Sequence, residues 1–201
     1  YHYFIYGLLR LYAVTYDPDY LQHAYGLQQQ ADTLFWDTKN PGYFLSADNE
    51  LLIKQQDSYD GALPAANAVA YHNLRFLSVA LHTPIYHTQA QHLIEHKAAD
   101  LNQYPKGYTF WLQSLELHLL GLPVLVCTHT LTGQQRTQLK AFPHILIQEC
   151  NKHSLFTQLE GFKSFVSLNH CPTFYFCHDF MCEAATTNFS TVLSSIKNVT
   201  D

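Results

Sequence analysis

The fold of this chain depends on one stretch, Tyr59-Asp60-Gly61-Ala62-Leu63-Pro64-Ala65-Ala66-Asn67-Ala68-Val69-Ala70. The stretch indicates a polar loop that leads into a helix of small residues. Pro64 holds Leu63 extended and suits the first turn of a helix, where its missing N–H costs nothing. Asn67 and His72 then lie on a helix that is otherwise built from Ala and Val. We expect the rest of the chain to form the scaffold around this loop and helix.

The composition excludes several classes of protein. A length of 201 residues corresponds to one to one and a half domains. The net charge is -5 and no Lys/Arg cluster is dense, so nucleic acid is not expected as a partner. No apolar run approaches the roughly 18 residues of a membrane helix, which predicts a soluble protein with no membrane partner. The five cysteines do not resemble a secreted disulfide framework and favour the cytoplasm.

The first third of the chain has the pattern of a helical hairpin followed by a β-hairpin. Apolar spacing predicts a helix from His2 to Tyr16, which Asp17-Pro18 ends, and a second helix capped by Asp17. Two short apolar runs, 43–45 and 51–53, flank the polar turn at 47–50 and predict a short β-hairpin. The chain begins at Tyr1 inside a helical pattern and has no initiator methionine, so we expect a fragment of a longer protein.

An internal repeat indicates that the helical hairpin occurs again. Pro18-Asp19-Tyr20 recurs 66 residues later as Pro84-Ile85-Tyr86, and a further helix is predicted from Tyr108 to Leu120. Repeated hairpins that each bury one face on a neighbour are typical of a helical solenoid or a closed α/α toroid. We therefore expect residues 1–121 to be mainly α, an α/α-hairpin segment of an incomplete toroid.

The pattern changes after Gly121. A strand at 123–127, a helix at 132–142 capped by Thr130 or Thr132 and a strand at 144–147 have the order of a βαβ crossover, which predicts parallel strands. A third strand at 173–177 and a closing helix at 191–196 follow. Residues 122–201 are thus predicted to form a small C-terminal α/β module.

The loop before the central helix is the first candidate site. Asp57, Tyr59 and Asp60 precede a helix N-terminus, and Asn67 follows in its first turns. In a toroid such loops line the cavity, where carboxylates can bind sugar hydroxyls or act as acid and base. This assigns Asp60 a catalytic role and Asp57, Tyr59 and Asn67 contact with a ligand. The alternative is that Asp60 caps the helix while Asn67 satisfies neighbouring backbone groups.

Three residues near the predicted β-hairpin extend this site. Trp36, Asp37 and Tyr43 combine aromatic faces with a carboxylate, which suits a carbohydrate-like small molecule, although aromatic residues are also ordinary core. His72 is the second candidate acid or base, with a structural histidine as the alternative.

Metal, cofactor and nucleotide chemistry have no motif in the sequence. The 13 histidines lack metal-ligand spacing, and there is no Gly-rich phosphate loop or nucleophile elbow, so we expect no metal and no cofactor. Cys171, Cys177 and Cys182 do not match structural zinc or a C-x-x-C pair and are expected to be free thiols. A redox role for Cys177 and Cys182 is the alternative.

Three segments together resemble the YyaL-like, spermatogenesis-associated protein 20-like family. They are Phe35-Trp36-Asp37 to Gly42-Tyr43-Phe44, then Tyr59 to Ala70, then Cys177 to Cys182. The resemblance implies that the chain is the C-terminal portion of a protein with an N-terminal thioredoxin-like domain and an α/α toroid similar to sugar epimerases and six-hairpin glycosidases. The chain departs from the family at Ala65-Ala66, where the family has Ser-Gly.

The resemblance leaves two functions open. In the first, the chain contributes part of a carbohydrate-like ligand site and the full-length protein performs acid/base chemistry as a sugar isomerase, epimerase or glycosidase. The fragment alone is then expected to be inactive. In the second, the chain is a non-catalytic structural or interaction module for the thioredoxin-like domain.

Overall fold

The computed structural model describes residues 1–48, 50, 52–150 and 154–200. Its elements are α1 (His2–Thr15), α2 (Pro18–Phe35), β1 (Trp36–Asp37), β2 (Gly42–Tyr43), α3 (Ala66–Ala80), α4 (Pro84–Gln103), α5 (Thr109–Leu120), β3 (Pro123–Cys127), α6 (Gly133–Leu139), β4 (Leu146–Glu149), α7 (Ser154–Gln158), β5 (Phe174–His178), β6 (Met181–Cys182) and α8 (Phe189–Thr200). Within the described residues, no helix has both the length and the apolar character needed to cross a membrane.

The helical part consists of two hairpins and a further helix. Helix α1 packs along α2, α3 packs along α4, and α3 also contacts α1 and α5. Both returning helices begin at a proline, and Asp17 Oδ1 accepts a hydrogen bond from the Asp19 N–H at 3.1 Å. The predicted helices of this part are confirmed. Helix α3 begins at Ala66, so Pro64 lies just before the helix instead of in its first turn.

The predicted β-hairpin is wrong in its pairing. Strand β1 pairs with β2 in an antiparallel register that places Trp36 opposite Tyr43, whereas Leu52 and Ile53 lie in exposed bends. Of the predicted segment, Asn49 and Leu51 lie outside the described residues. The reason is local: β1 follows α2 directly, and the turn at residues 38–41 brings β2 back onto β1. The next extended residue, Phe44, forms a bridge to Gln56.

The second sheet has the strand order β4-β3-β5-β6. Strands β3 and β4 are parallel, as predicted, and β5, the third predicted strand, is antiparallel to β3, so the sheet is mixed and not wholly parallel. Strand β4 ends and β5 begins at the same end of the sheet, and the chain between them therefore needs no crossover. Helix α6 is shorter than predicted and begins with a capping box between Thr132 and Gln135.

The sheet lies between the helical hairpins and α8. Along β3, Val124 and Val126 belong to the core that the helices form, while Leu125 and Cys127 belong to a second core with Ile196 of α8. This alternation follows from the two-residue period of a strand, and it buries both faces of β3. The architecture is mainly helical, with a two-stranded ribbon and a mixed four-stranded sheet.

Candidate functional site

The carboxylate of Asp60 joins the N-termini of two helices. Its Oδ1 accepts a hydrogen bond from the Ala65 N–H at 2.7 Å, and its Oδ2 accepts one from the Phe110 N–H at 2.8 Å. The Asp60 N–H donates to the Gly107 carbonyl at 2.9 Å. Helix N-termini leave N–H groups without partners and favour negative charge, so the loop binds the starts of α3 and α5 at once. Both carboxylate oxygens are occupied by backbone donors.

Asn67 is fully buried and joins β2 to α3. Its Oδ1 accepts from the Tyr43 N–H at 2.6 Å, while its Nδ2 donates to the carbonyls of Tyr43 at 3.0 Å and of Asp57 at 2.8 Å. The carboxylate of Asp57 accepts from the Ala66 N–H at 3.4 Å. The Asn67 amide therefore uses both of its hydrogens and its oxygen inside the protein.

The side chain of Tyr43 continues this network to three residues that the sequence reasoning missed. Its hydroxyl donates to Asp32 Oδ1 at 2.6 Å, and the Nε2 atoms of Gln28 and Gln89 donate to the same oxygen at 2.8 and 3.1 Å. Burial and the neighbouring Asp32 carboxylate raise the pKa of Tyr43 well above its usual value. One signal was available: Gln28 and Asp32 are four residues apart and so share a face of α2.

Trp36 and Asp37 lie at the hairpin beside this network. The Trp36 ring meets the Tyr43 ring edge-on, with centroids 4.9 Å apart. The Asp37 carboxylate accepts from the Lys39 N–H at 2.8 Å and from Gln56 Nε2 at 3.3 Å. Of the sequence-predicted ligand contacts, Trp36, Tyr43, Asn67 and Asp57 are thus brought together by direct contacts.

Tyr59 belongs to a group of three tyrosines, two exposed and Tyr108 partly buried, which we call the tyrosine rim (Tyr59, Tyr104 and Tyr108). The rings of Tyr59 and Tyr108 meet edge-on at 6.0 Å, and the residues Tyr59 and Tyr104 are 54% and 53% exposed. The backbone of Gly107 passes between them, because a Cβ there would lie 2.5 Å from the Tyr59 ring and 2.7 Å from the Tyr104 ring. Glycine at this position lets the two rings lie close to the backbone, and both side chains are about half open to solvent.

The structure places His72 in a separate cleft. Its ring packs against Tyr6 and Phe110, with centroids 5.0 and 6.1 Å away, and the cleft of about 350 Å³ is also lined by Arg10 and His144. Burial, and then the positive charge of Arg10, lower the pKa of His72 to about 4. Within the described part of the chain, no group forms a hydrogen bond with its buried Nε2. His72 is therefore a neutral imidazole near pH 7.

Cys177 and Cys182 form a disulfide between β5 and β6, so the expectation of free thiols is wrong for this pair. The two cysteines are directly opposite each other in the antiparallel register, with Cα atoms 3.9 Å apart. Strand pairing, which the spacing of cysteines does not reveal, brings them together. Cys171 is a free cysteine and is exposed. Over residues 1–48, 50, 52–150 and 154–200, no three His, Cys, Asp or Glu side chains form a group that could hold a metal ion.

Comparison with known proteins gives a partial match. No family model matches the chain. Spermatogenesis-associated protein 20 of Mus musculus and that of Homo sapiens are each 40% identical to it over 77 residues, which cover 37% of this chain and 10% of each relative. An uncharacterised protein of Caenorhabditis elegans is 32% identical over 107 residues, 52% of this chain and 14% of that protein. These similarities confirm the expected resemblance to the spermatogenesis-associated protein 20 family. The matched stretches span about a tenth to a seventh of the relatives' length.

Proposed function

We propose that this chain is the C-terminal portion of a longer protein related to spermatogenesis-associated protein 20, and that it serves there as a non-catalytic structural module. Its helical hairpins form part of an α/α toroid, and the module carries the thioredoxin-like domain of the longer protein. The sequence similarity and the two hairpins that begin at Pro18 and Pro84 support this assignment.

One observation carries the proposal: the Asp60 carboxylate accepts one backbone hydrogen bond on each oxygen. A general acid or base needs an oxygen that faces the reacting group. Asn67 is fully buried, and its amide makes three hydrogen bonds with the backbone. The residues best placed by sequence for sugar chemistry therefore hold the loop, the β1–β2 ribbon and α3 together.

Substitution of Asp60 tests this role. Asp60→Ala leaves the Ala65 and Phe110 N–H groups without partners, and each lost partner costs about 1–3 kcal/mol. We expect the free energy of unfolding to fall by about 2–4 kcal/mol, measured by urea denaturation with tryptophan fluorescence. Asp60→Asn keeps one acceptor and is expected to lose less. Glu116→Ala, which removes an exposed carboxylate from α5, is the control. An Asp60→Ala variant as stable as this control would contradict the structural role.

A second function is favoured by the tyrosine rim. Half-exposed aromatic faces beside the loop that holds Asp57 and Asp60 suit a carbohydrate-like ligand, which stacks on one ring face. In this alternative the rim provides contact only, and acid/base chemistry belongs to the assembled parent protein. The two functions separate in a melting screen against monosaccharides and their phosphates. A ligand-dependent rise in melting temperature that Tyr59→Ala removes would favour the second function over the first.

A further inference from the structure

A cavity of about 290 Å³ lies between α2 and α4, on the far side of Tyr43 from Asn67 in the hydrogen-bond network. Its polar and aromatic lining residues are Tyr25, Gln29, Asp32, Thr83, Tyr86 and Gln89. Neither of the proposed functions uses this cavity. Its charge and its walls, taken together, define the chemistry of a ligand.

The cavity has a fixed negative charge. Asp32 Oδ1 accepts hydrogen bonds from Tyr43, Gln28 and Gln89, which hold the carboxylate in one orientation. In the described part of the chain, no Lys, Arg or His forms an ion pair with Asp32, and no group donates to its Oδ2. The three donors are all neutral, so they orient the charge without neutralising it.

Two aromatic rings form walls beside this carboxylate. Tyr25 and Tyr86 meet nearly at right angles, with ring centroids 6.3 Å apart and an interplanar angle of 82°. Burial, and then the charge of Asp32, raise the pKa of Tyr86, so this phenol stays neutral. Ring faces carry a negative quadrupole and attract cations. The rings and the carboxylate thus favour the same sign of ligand charge.

We propose that this cavity binds the alkylammonium head group of a small organic cation. The positive charge of the ammonium pairs with the Asp32 carboxylate, which has no cationic partner among the described residues. Its alkyl groups pack on the rings of Tyr25 and Tyr86. An anion would meet the uncompensated carboxylate, and a neutral polyol would leave that charge unpaired. The head group comes from a free amine or from a lysine side chain of a peptide, since both present the same chemistry to the cavity.

Binding to the full chain tests the proposal. The probes are choline, its neutral isostere 3,3-dimethylbutanol, and a short peptide that contains trimethyl-lysine, each titrated against the protein by NMR and calorimetry. We expect saturable binding of choline, of the peptide, or of both, and at least tenfold weaker binding of the neutral isostere. The choline and peptide titrations distinguish a free amine from a protein side chain as the source.

Variants connect the binding to the cavity. Asp32→Asn keeps an acceptor for Tyr43 but removes the charge, and we expect it to weaken binding at least tenfold. Glu116→Gln removes one exposed negative charge on α5, outside the lining, and is expected to bind as the native chain does. If Asp32→Asn does not fold, the affinities of Tyr25→Leu and Tyr25→Phe for the cations are compared, because only the second variant keeps an aromatic ring. Three outcomes would overturn the proposal. They are equal binding of the neutral isostere, undiminished binding by a folded Asp32→Asn or Tyr25→Leu variant, and no binding of either cation.

Discussion

His72 shows how a half-buried histidine contributes to the response of the protein to acid. From α3 its ring packs against Tyr6 of α1 and Phe110 of α5, and burial followed by the charge of Arg10 lowers its pKa to about 4. In the unfolded chain a histidine titrates near its ordinary value of about 6.5. Between these two values the unfolded state binds a proton that the folded state does not.

The sign of the pH dependence follows from this difference. The stability that a neutral buried His72 contributes is complete above about pH 6.5 and is lost as the pH falls toward 4, because protons then favour the unfolded chain. The loss is up to about 1.4 kcal/mol per pH unit for one histidine. His82 adds the same dependence, since burial lowers its pKa to about 4 although its hydrogen bond with Gln148 acts the other way.

We therefore predict that His72→Phe makes the pH dependence of the unfolding free energy less steep between pH 7 and 5, while the contribution of His82 remains. Phenylalanine keeps the aromatic contacts with Tyr6 and Phe110 and cannot take up a proton. The measurement is urea denaturation at several pH values. His92→Phe replaces an exposed histidine on α4 and is the control, which should keep the native slope. A native slope in His72→Phe would show that His72 titrates alike in the folded and unfolded chain.

Sequence patterns located some of the polar network but not all of it. Asp60, Asp57 and Asn67 were found because capping and turn chemistry act over a few residues. Asp32 and Gln89 were missed because they are 57 residues apart and meet only after the two hairpins pack. Whether the predicted residues bind a ligand is a separate question, which the melting screen addresses.

At the scale of elements, local sequence signals predicted the helices correctly, but they did not predict which strands pair. Helices α2 and α4 were predicted because a proline in the first turn and a 3.6-residue apolar period are both local features. The partner of β2 and the direction of β5 depend on which edge the folded chain offers. A single sequence does not encode that choice in a short window.

The β5–β6 hairpin is an element whose contribution to stability is measurable. The Cys177–Cys182 disulfide closes it, and Asp179 at its turn forms an ion pair with the buried Arg75 at 3.1 Å. A disulfide stabilises mainly by limiting the unfolded chain, and a loop this short corresponds to about 2 kcal/mol. We predict that reduction by dithiothreitol lowers the free energy of unfolding by about this amount.

Cysteine variants separate this effect from other actions of the reductant. Cys182→Ser should already have the lower stability and should not respond to dithiothreitol. Cys171→Ser removes an exposed free thiol and should respond as the native chain does. If thiol titration shows two new thiols after reduction while the stability is unchanged, the disulfide does not stabilise the hairpin.

At the scale of the whole molecule, the predicted boundary between residues 1–121 and 122–201 runs beside a shared core. Val124 and Val126 of β3 pack in the same core as Leu74 and Leu77 of α3. Residues that face each other across a sequence boundary in one core lose their burial together when either part unfolds. The boundary separates two patterns of sequence, and we predict that the two parts nevertheless unfold as one cooperative unit.

Both tryptophans lie before residue 121, so their fluorescence reports the unfolding of the helical part. Val126→Ala removes two methyl groups from the sheet face that packs on this part and is expected to cost about 2 kcal/mol. If the parts unfold together, the substitution lowers the urea midpoint of tryptophan fluorescence and of far-UV circular dichroism by the same amount. Val166→Ala makes the same change at an exposed position and should leave both midpoints in place. The opposite result is a fluorescence midpoint that Val126→Ala leaves unchanged, together with a circular dichroism transition that splits in two. That result would mean that the helical part folds by itself, because only an independent core is insensitive to a cavity in the sheet packed against it.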